Sequence, residues 1–249
     1  MTNTPPDLFG LASKTVLVTG AAGSVGRSLA PALTAVGARV IGVDRNKAPL
    51  AELVDAGSLA EALTSDLLNP EEVEKIAVQA GPVDVLINNV GLGTAHLLRN
   101  TTDEELSTAL ETNLWVAFRL TRALAPAMAH RGWGRIVNVS TVLALHPVPT
   151  VSAYAASKAA LIGFTRAVAL EFAGRGVCCN VLAPGYMDGA KNAEYFDSEV
   201  GHSFVERFMP TGSVPPPDSL VGPSLFLSSE MSKYVTGQVL IVDQGYSIW

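Results

Sequence analysis

The stretch Thr15-Val16-Leu17-Val18-Thr19-Gly20-Ala21-Ala22-Gly23-Ser24-Val25-Gly26 decides the fold. A short β-branched, apolar run ends in a glycine-rich turn, and an amphipathic pattern follows over 25–36, which reads as strand, tight turn and helix. Glycine lets the backbone turn sharply and approach a pyrophosphate, whose charge then rests at the helix N-terminus. Gly20, Ser24, Val25 and Gly26 are therefore expected to bind a dinucleotide.

Outward from this unit the same alternation repeats. Apolar runs at 15–19, 39–43, 63–66, 83–88, 135–140, 178–183 and 239–242 read as strands, and amphipathic segments at 25–36, 70–79, 103–129, 153–172 and 218–227 as helices. Such alternation implies right-handed crossovers and a parallel sheet. Runs as continuously apolar as Val83-Asp84-Val85-Leu86-Ile87-Asn88 suit a sheet covered on both sides. The expected class is α/β, a Rossmann-type doubly wound parallel sheet of about seven strands with helices on both faces. No linker divides the chain, so residues 1–249 read as a single dinucleotide-binding domain. The least regular segment, 186–213, follows a strand end; it is either a lid over the site or an ordinary surface loop.

Composition narrows the function. Of 249 residues 48% are hydrophobic and 16% charged, and the net charge of −6 disfavours nucleic acid as a partner. The first ten residues carry no basic stretch leading into an apolar run, and no window is long and apolar enough for a membrane span, so the expected address is cytoplasmic. Cys178 and Cys179 are neighbours that point to opposite faces of a strand, which suits buried thiols and not a disulfide. His96, His130, His146 and His202 lack metal-ligand spacing, and no metal site is expected. At the tip of the second strand Asp44 can accept from ribose hydroxyls and repel a 2′-phosphate, favouring NAD over NADP; the adjacent Arg45 argues the other way.

The turn Gly20–Gly26, Asp66-Leu67, Asn88-Asn89-Val90-Gly91, Asn113, Ser140, Tyr154-Ala155-Ala156-Ser157-Lys158 and Pro184-Gly185 occur in that order, and over nearly its whole length the chain resembles the compact short-chain dehydrogenases/reductases. The resemblance implies that Asp66 and Leu67 border the adenine, that Asn89 to Gly91 flank the adenosine ribose, and that Pro184-Gly185 brings backbone beside the nicotinamide. It also implies that Asn113 kinks its helix and holds a water leading protons to Lys158. Similar proteins are usually homotetramers, with the 103–129 and 153–172 helices packing across subunits. Three positions depart from the family pattern: Gly23 and Ser24 are exchanged, Val90 replaces a common alanine, and Gly189 stands where a threonine often bonds the nicotinamide carboxamide.

Tyr154 and Lys158 are four residues apart and share one helix face. A phenol is a poor base at neutral pH, and a neighbouring ammonium favours its ionised form. Tyr154 is thus the expected general acid/base, Lys158 its charge partner and ribose anchor, and Ser140 the donor to the substrate oxygen. Val142, Leu143, Tyr186 and Met187, with Phe204 and Phe208, are candidate walls for an alcohol or ketone substrate, and His146 could edge the same pocket. The leading expectation is an NAD-dependent secondary-alcohol dehydrogenase or ketone reductase. The alternatives are an NADPH-dependent ketoreductase of carrier-bound 3-oxoacyl groups and a non-catalytic NAD(H) sensor.

Overall fold

The computed structural model describes residues 7–189 and 192–249. Within the 186–213 segment, residues 190 and 191 lie outside that description, as do residues 1–6 of the N-terminus. The elements run β1 (Thr15–Thr19), α1 (Ser24–Ala35), β2 (Arg39–Asp44), α2 (Lys47–Asp55), β3 (Glu61–Thr64), α3 (Pro70–Gln79), β4 (Val85–Asn88), α4 (Asp103–Leu110), α5 (Val116–Arg131), β5 (Gly134–Val139), α6 (Ser152–Phe172), β6 (Val177–Pro184), α7 (Ala193–Phe196), α8 (Glu199–Phe208), α9 (Val221–Ser228) and β7 (Val239–Val242). The seven strands form one sheet in the order β3-β2-β1-β4-β5-β6-β7, and every pairing is parallel.

Both sheet faces are buried because the strands alternate between two apolar sets. Val16, Val18, Val85, Ile87, Val137 and Val139 face one core with Leu29 and Leu33 of α1 and Leu225 of α9. Their neighbours Leu17, Leu86 and Ile136 face the other, with Ile76 of α3, Leu120 and Met128 of α5 and Phe172 of α6. The period of two in side-chain direction therefore serves two helical layers at once. From β1 the chain winds outward through β2 and β3, then returns to place β4 on the other side of β1. A crevice opens where the winding reverses, at the carboxyl ends of β1 and β4, and ligands of this fold bind there.

Two expectations change. The run 103–129 is not one helix. Thr102 and Glu105 form a capping box at the start of α4, which is followed by a π-helical turn over Glu111–Trp115 and then α5. The N–H of Val116 reaches back to the carbonyl of Glu111, one residue further than in an α-helix. The 186–213 segment is also less irregular than its sequence suggests, since it contains α7 and α8, the latter capped by Ser198 through the Gly201 N–H.

Candidate active site

The dinucleotide half begins at the tip of β1. Gly20 turns with φ +65°, and a Cβ at Gly26 would lie 2.5 Å from the Gly20 carbonyl oxygen, so the first turn of α1 sits directly against the strand end. Gly23 at the N-cap supplies no side-chain bond to the first turn of α1. Those amides and the positive end of the helix suit a pyrophosphate. Asn89, just past β4, locks the turn: its Nδ2 donates to the carbonyls of Thr19 (3.1 Å) and Gly20 (3.2 Å), while its N–H donates to Thr19 Oγ1. Asp44 ends β2 half-buried, its carboxylate accepting from the N–H groups of Ala22 (3.2 Å) and Asn46 (3.0 Å). A negative charge is thereby fixed beside the turn, with Arg45 exposed next to it. Asp66 is exposed and accepts from the Leu68 N–H; Leu67, expected to border the adenine, instead buries its side chain in the core, leaving only its backbone at the rim.

The chemical half is built on β4, β5, the π turn and the start of α6. Lys158 is almost fully buried, and its Nζ donates to the Val139 carbonyl at 2.7 Å. Ser140 continues the β5 ladder by donating its N–H to the Leu182 carbonyl, and its Oγ donates to the Lys158 carbonyl at 3.0 Å. Gly91 closes the group, because a Cβ there would stand 3.1 Å from Lys158 Nζ and 3.4 Å from Asn113 Oδ1. Bare backbone thus faces the amine, leaving room for a ribose edge. The half-buried Tyr154 lies one helical turn before Lys158, with Gly93 beside its ring.

Asn113 is in the middle of the π turn. Its Oδ1 accepts from the Leu92 N–H, and its Nδ2 donates to the Leu92 carbonyl and to Ser157 Oγ. Both amide protons are therefore used within the chain, so this side chain holds the loop after β4 against α6. A water could meet only its remaining lone pair. Ser157 in turn donates to the Tyr154 carbonyl. Neither this link nor Thr141 stood out in the sequence, because both depend on contacts between distant elements. Burial raises the Tyr154 phenol above its ordinary value, while a hydrogen bond from the Thr141 side chain pulls it down. Burial lowers the Lys158 amine to about 8. Both shifts follow from the cost of charge in a dry site.

The expected substrate wall is only partly open. Val142 is completely buried, which removes its side chain from any exposed surface; Leu143 stays half-exposed. Pro184 ends β6, and a Cβ at Gly185 would meet Asp243, so the backbone runs tightly past the end of β7. Met187 packs onto the core cluster containing α1. Tyr186 stands edge-on to Phe204 (4.9 Å), Tyr246 (5.3 Å) and Phe196 (6.2 Å), and Phe208 lies tilted against Phe204. Tyr246, close to the C-terminus, had no sequence signal linking it to this cluster. His146 is exposed. Among the described residues no group of acidic, histidine and cysteine side chains could hold a metal ion, and no helix is long and apolar enough to cross a membrane.

A doubly wound sheet with an open, glycine-lined helix terminus and, at its switch point, a half-buried tyrosine beside a buried lysine and serine defines a dinucleotide-dependent oxidoreductase. Residues 14–200 match the family model described as short chain dehydrogenase. The chain is 34% identical over 237 residues to the 3-oxoacyl-(acyl-carrier-protein) reductase FabG of Escherichia coli (strain K12), covering 93% of this chain and 96% of that one. It is 32% identical over 246 residues to the 2-dehydro-3-deoxy-D-gluconate 5-dehydrogenase of Bacillus subtilis (strain 168), covering 96% and 97%. A crystal structure of a gluconate 5-dehydrogenase from Burkholderia cenocepacia J2315 in complex with NADP and tartrate superposes with a TM-score of 0.91 at 29% identity, covering 98% of each chain. The chain belongs to the short-chain dehydrogenase family.

Proposed function

We propose that the chain transfers a hydride between NAD(H) and a secondary alcohol or ketone, with Tyr154 as the acid/base. The carrying observation is the buried Lys158 amine, held by the Val139 carbonyl and faced by bare Gly91, next to Asn113. When bound, the nicotinamide supplies or takes the hydride. Tyr154 gives its proton to the carbonyl oxygen in reduction and takes it from the alcohol in oxidation, while Ser140 turns its hydroxyl from the Lys158 carbonyl to the same substrate oxygen. Lys158, cationic below about pH 8, holds the ribose hydroxyls and favours the phenolate. Asn113 fixes the 91–93 loop against α6 and so holds this geometry. Gly20, Ser24, Val25, Gly26, Asp44, Asp66, Leu67, Asn89, Gly91, Pro184 and Gly185 line the cofactor path, Leu67 through its backbone. The 186–213 segment covers the substrate with its aromatic cluster.

The Asp44 carboxylate, anchored beside the turn, supports NAD. NADP is the second reading. It is favoured by the exposed Arg45 and by the NADP bound in the related gluconate 5-dehydrogenase. The relatives' names point to keto sugar acids and carrier-linked 3-oxoacyl groups as the first substrates to try. The test is to mix the protein with NADH or NADPH and a panel of keto acids, 3-oxoacyl thioesters and simple ketones, following loss of reduced cofactor. Turnover faster with NADH is expected. Tight binding of a dinucleotide with no turnover on any substrate, in either direction, would identify a sensor instead.

A further inference from the structure

Among the described residues, three that are not glycine have a positive φ: Ser13 (66°), Thr150 (79°) and Gln244 (54°). Thr150 is the β-branched one, and a branched side chain crowds its own backbone in that region. Ser13 lies in the turn before β1, at the far end of the sheet from the site. Gln244 follows β7, and its side-chain oxygen accepts from Thr211 Oγ1 at 2.8 Å, a bond that offsets the strain. Thr150 has no such offset: it is exposed, and its hydroxyl makes no hydrogen bond among the described residues. Its carbonyl accepts the His96 N–H at 2.8 Å, but a glycine carbonyl would serve equally well. The loop after β4 fixes where this side chain stands. It brings Gly93 to the Tyr154 ring, where a Cβ would lie 4.0 Å from Cε2, and three residues later it brings His96 to Thr150. Three residues of extended chain span at most about 10 Å, so Thr150 stands at the mouth of the Tyr154 site. The loop is itself anchored, because His96 Nδ1 meets Glu105 Oε1 at 2.6 Å and Glu105 forms the capping box of α4 with Thr102. The strained residue is thus held between the His96 bond and the start of α6, as such conformations require.

We propose that Thr150 is a specificity-determining residue whose hydroxyl bonds a second oxygen on the substrate, carried on the arm beside the reacting carbon. The proposal rests on the function above, with Tyr154 as the acid/base. Nothing within the chain uses the Thr150 side chain, yet the backbone is strained to keep one there, so its partner is the molecule that enters the mouth. A hydroxyl both donates and accepts, and it can therefore meet a hydroxyl, a carboxylate or a carbonyl oxygen. The substrate class is then an oxygenated ketone, such as a hydroxy ketone, a keto acid or a keto ester, in preference to a plain one. Glycine at 150 would keep the bond to His96, remove the strain and leave that second oxygen without a partner.

The test compares the intact wild type with Thr150→Gly and Thr150→Ser on keto acids, 3-oxoacyl thioesters and simple ketones at saturating cofactor, alongside melting temperatures. Thr150→Gly should melt no lower than the wild type, because relief of strain offsets the added freedom of an unfolded glycine. Its KM for oxygenated ketones should rise roughly fivefold, the loss of one neutral hydrogen bond, with kcat and cofactor affinity unchanged. Its KM for simple ketones should stay at the wild-type value. Thr150→Ser, which keeps the hydroxyl, should recover most of the affinity for oxygenated ketones. An unchanged KM in Thr150→Gly, equal losses on both kinds of ketone, a lower melting temperature, or a wild type that turns over simple ketones alone would overturn the proposal and leave the Tyr154 assignment standing. Absence of turnover on every substrate of the panel would overturn the function itself.

Discussion

The tips of β4 and β5 and the segment that follows β6 are held by different forces. At the strand tips each polar group is bound to backbone of another element: Lys158 to Val139, Ser140 to the Lys158 carbonyl, Asn113 to both backbone groups of Leu92. Around Tyr186 the contacts are aromatic edges, with Phe196, Phe204 and Tyr246 at centroid distances of 4.9 to 6.2 Å. Directional bonds fix an atom's position, whereas edge contacts fix a shape that another set of side chains can reproduce. On the proposed function, the first region determines what reaction occurs and the second which molecule undergoes it.

The contrast breaks most sharply at Tyr154. Tyr154→Phe should lower kcat about 10³-fold at unchanged cofactor affinity; a variant within a few-fold of wild type would remove the acid/base assignment. Ser140→Ala should cost about 10²-fold in kcat, the typical loss for one donor to a developing oxyanion, and the measurement is kcat with saturating cofactor. In the other region Phe204→Ala should act on KM, by roughly tenfold for the best substrate, and leave kcat nearly unchanged. A fall in kcat as large as that of Ser140→Ala would show that the two regions are not separable.

The smallest effect concerns stability. The Lys158 amine has a folded value of about 8 against an ordinary 10.5. Between those values the unfolded chain binds more protons, so the folded state gains stability as pH rises through that window. Urea midpoints of wild type relative to Lys158→Met should therefore increase from about pH 8 upward. A flat difference would mean that the amine is better solvated than its burial implies.

The sheet was legible because its side chains obey a strict period of two: Val16 and Val18 go to one core and Leu17 to the other. The reactive group was legible because Tyr154 and Lys158 are close in sequence on one helix. What escaped depended on contacts between distant segments. Thr141 acts on Tyr154 only because the loop after β5 folds onto α6. Val142 is buried for the same reason, although its position beside Ser140 suggested an open wall. In α8 the signal was present and weak: Ser198 caps the helix, and Val200, Phe204 and Phe208 recur every fourth residue. The π turn was read through as continuous helix, since one extra residue barely disturbs a long amphipathic pattern.

That extra residue makes chain length at 111–115 as constrained as composition. Because the π turn spends one residue more than an α turn on nearly the same rotation, deleting one of the five would restore uniform winding with α4 and α5 in phase, but would remove the bulge that aims Asn113 at Leu92 and Ser157. Leu120, Leu124 and Met128 would keep their places in the core, and the loss would fall on the bonds by which Asn113 holds the loop after β4. Natural variation in length should accordingly collect in the surface connections, and insertions or deletions in this helix should be purged.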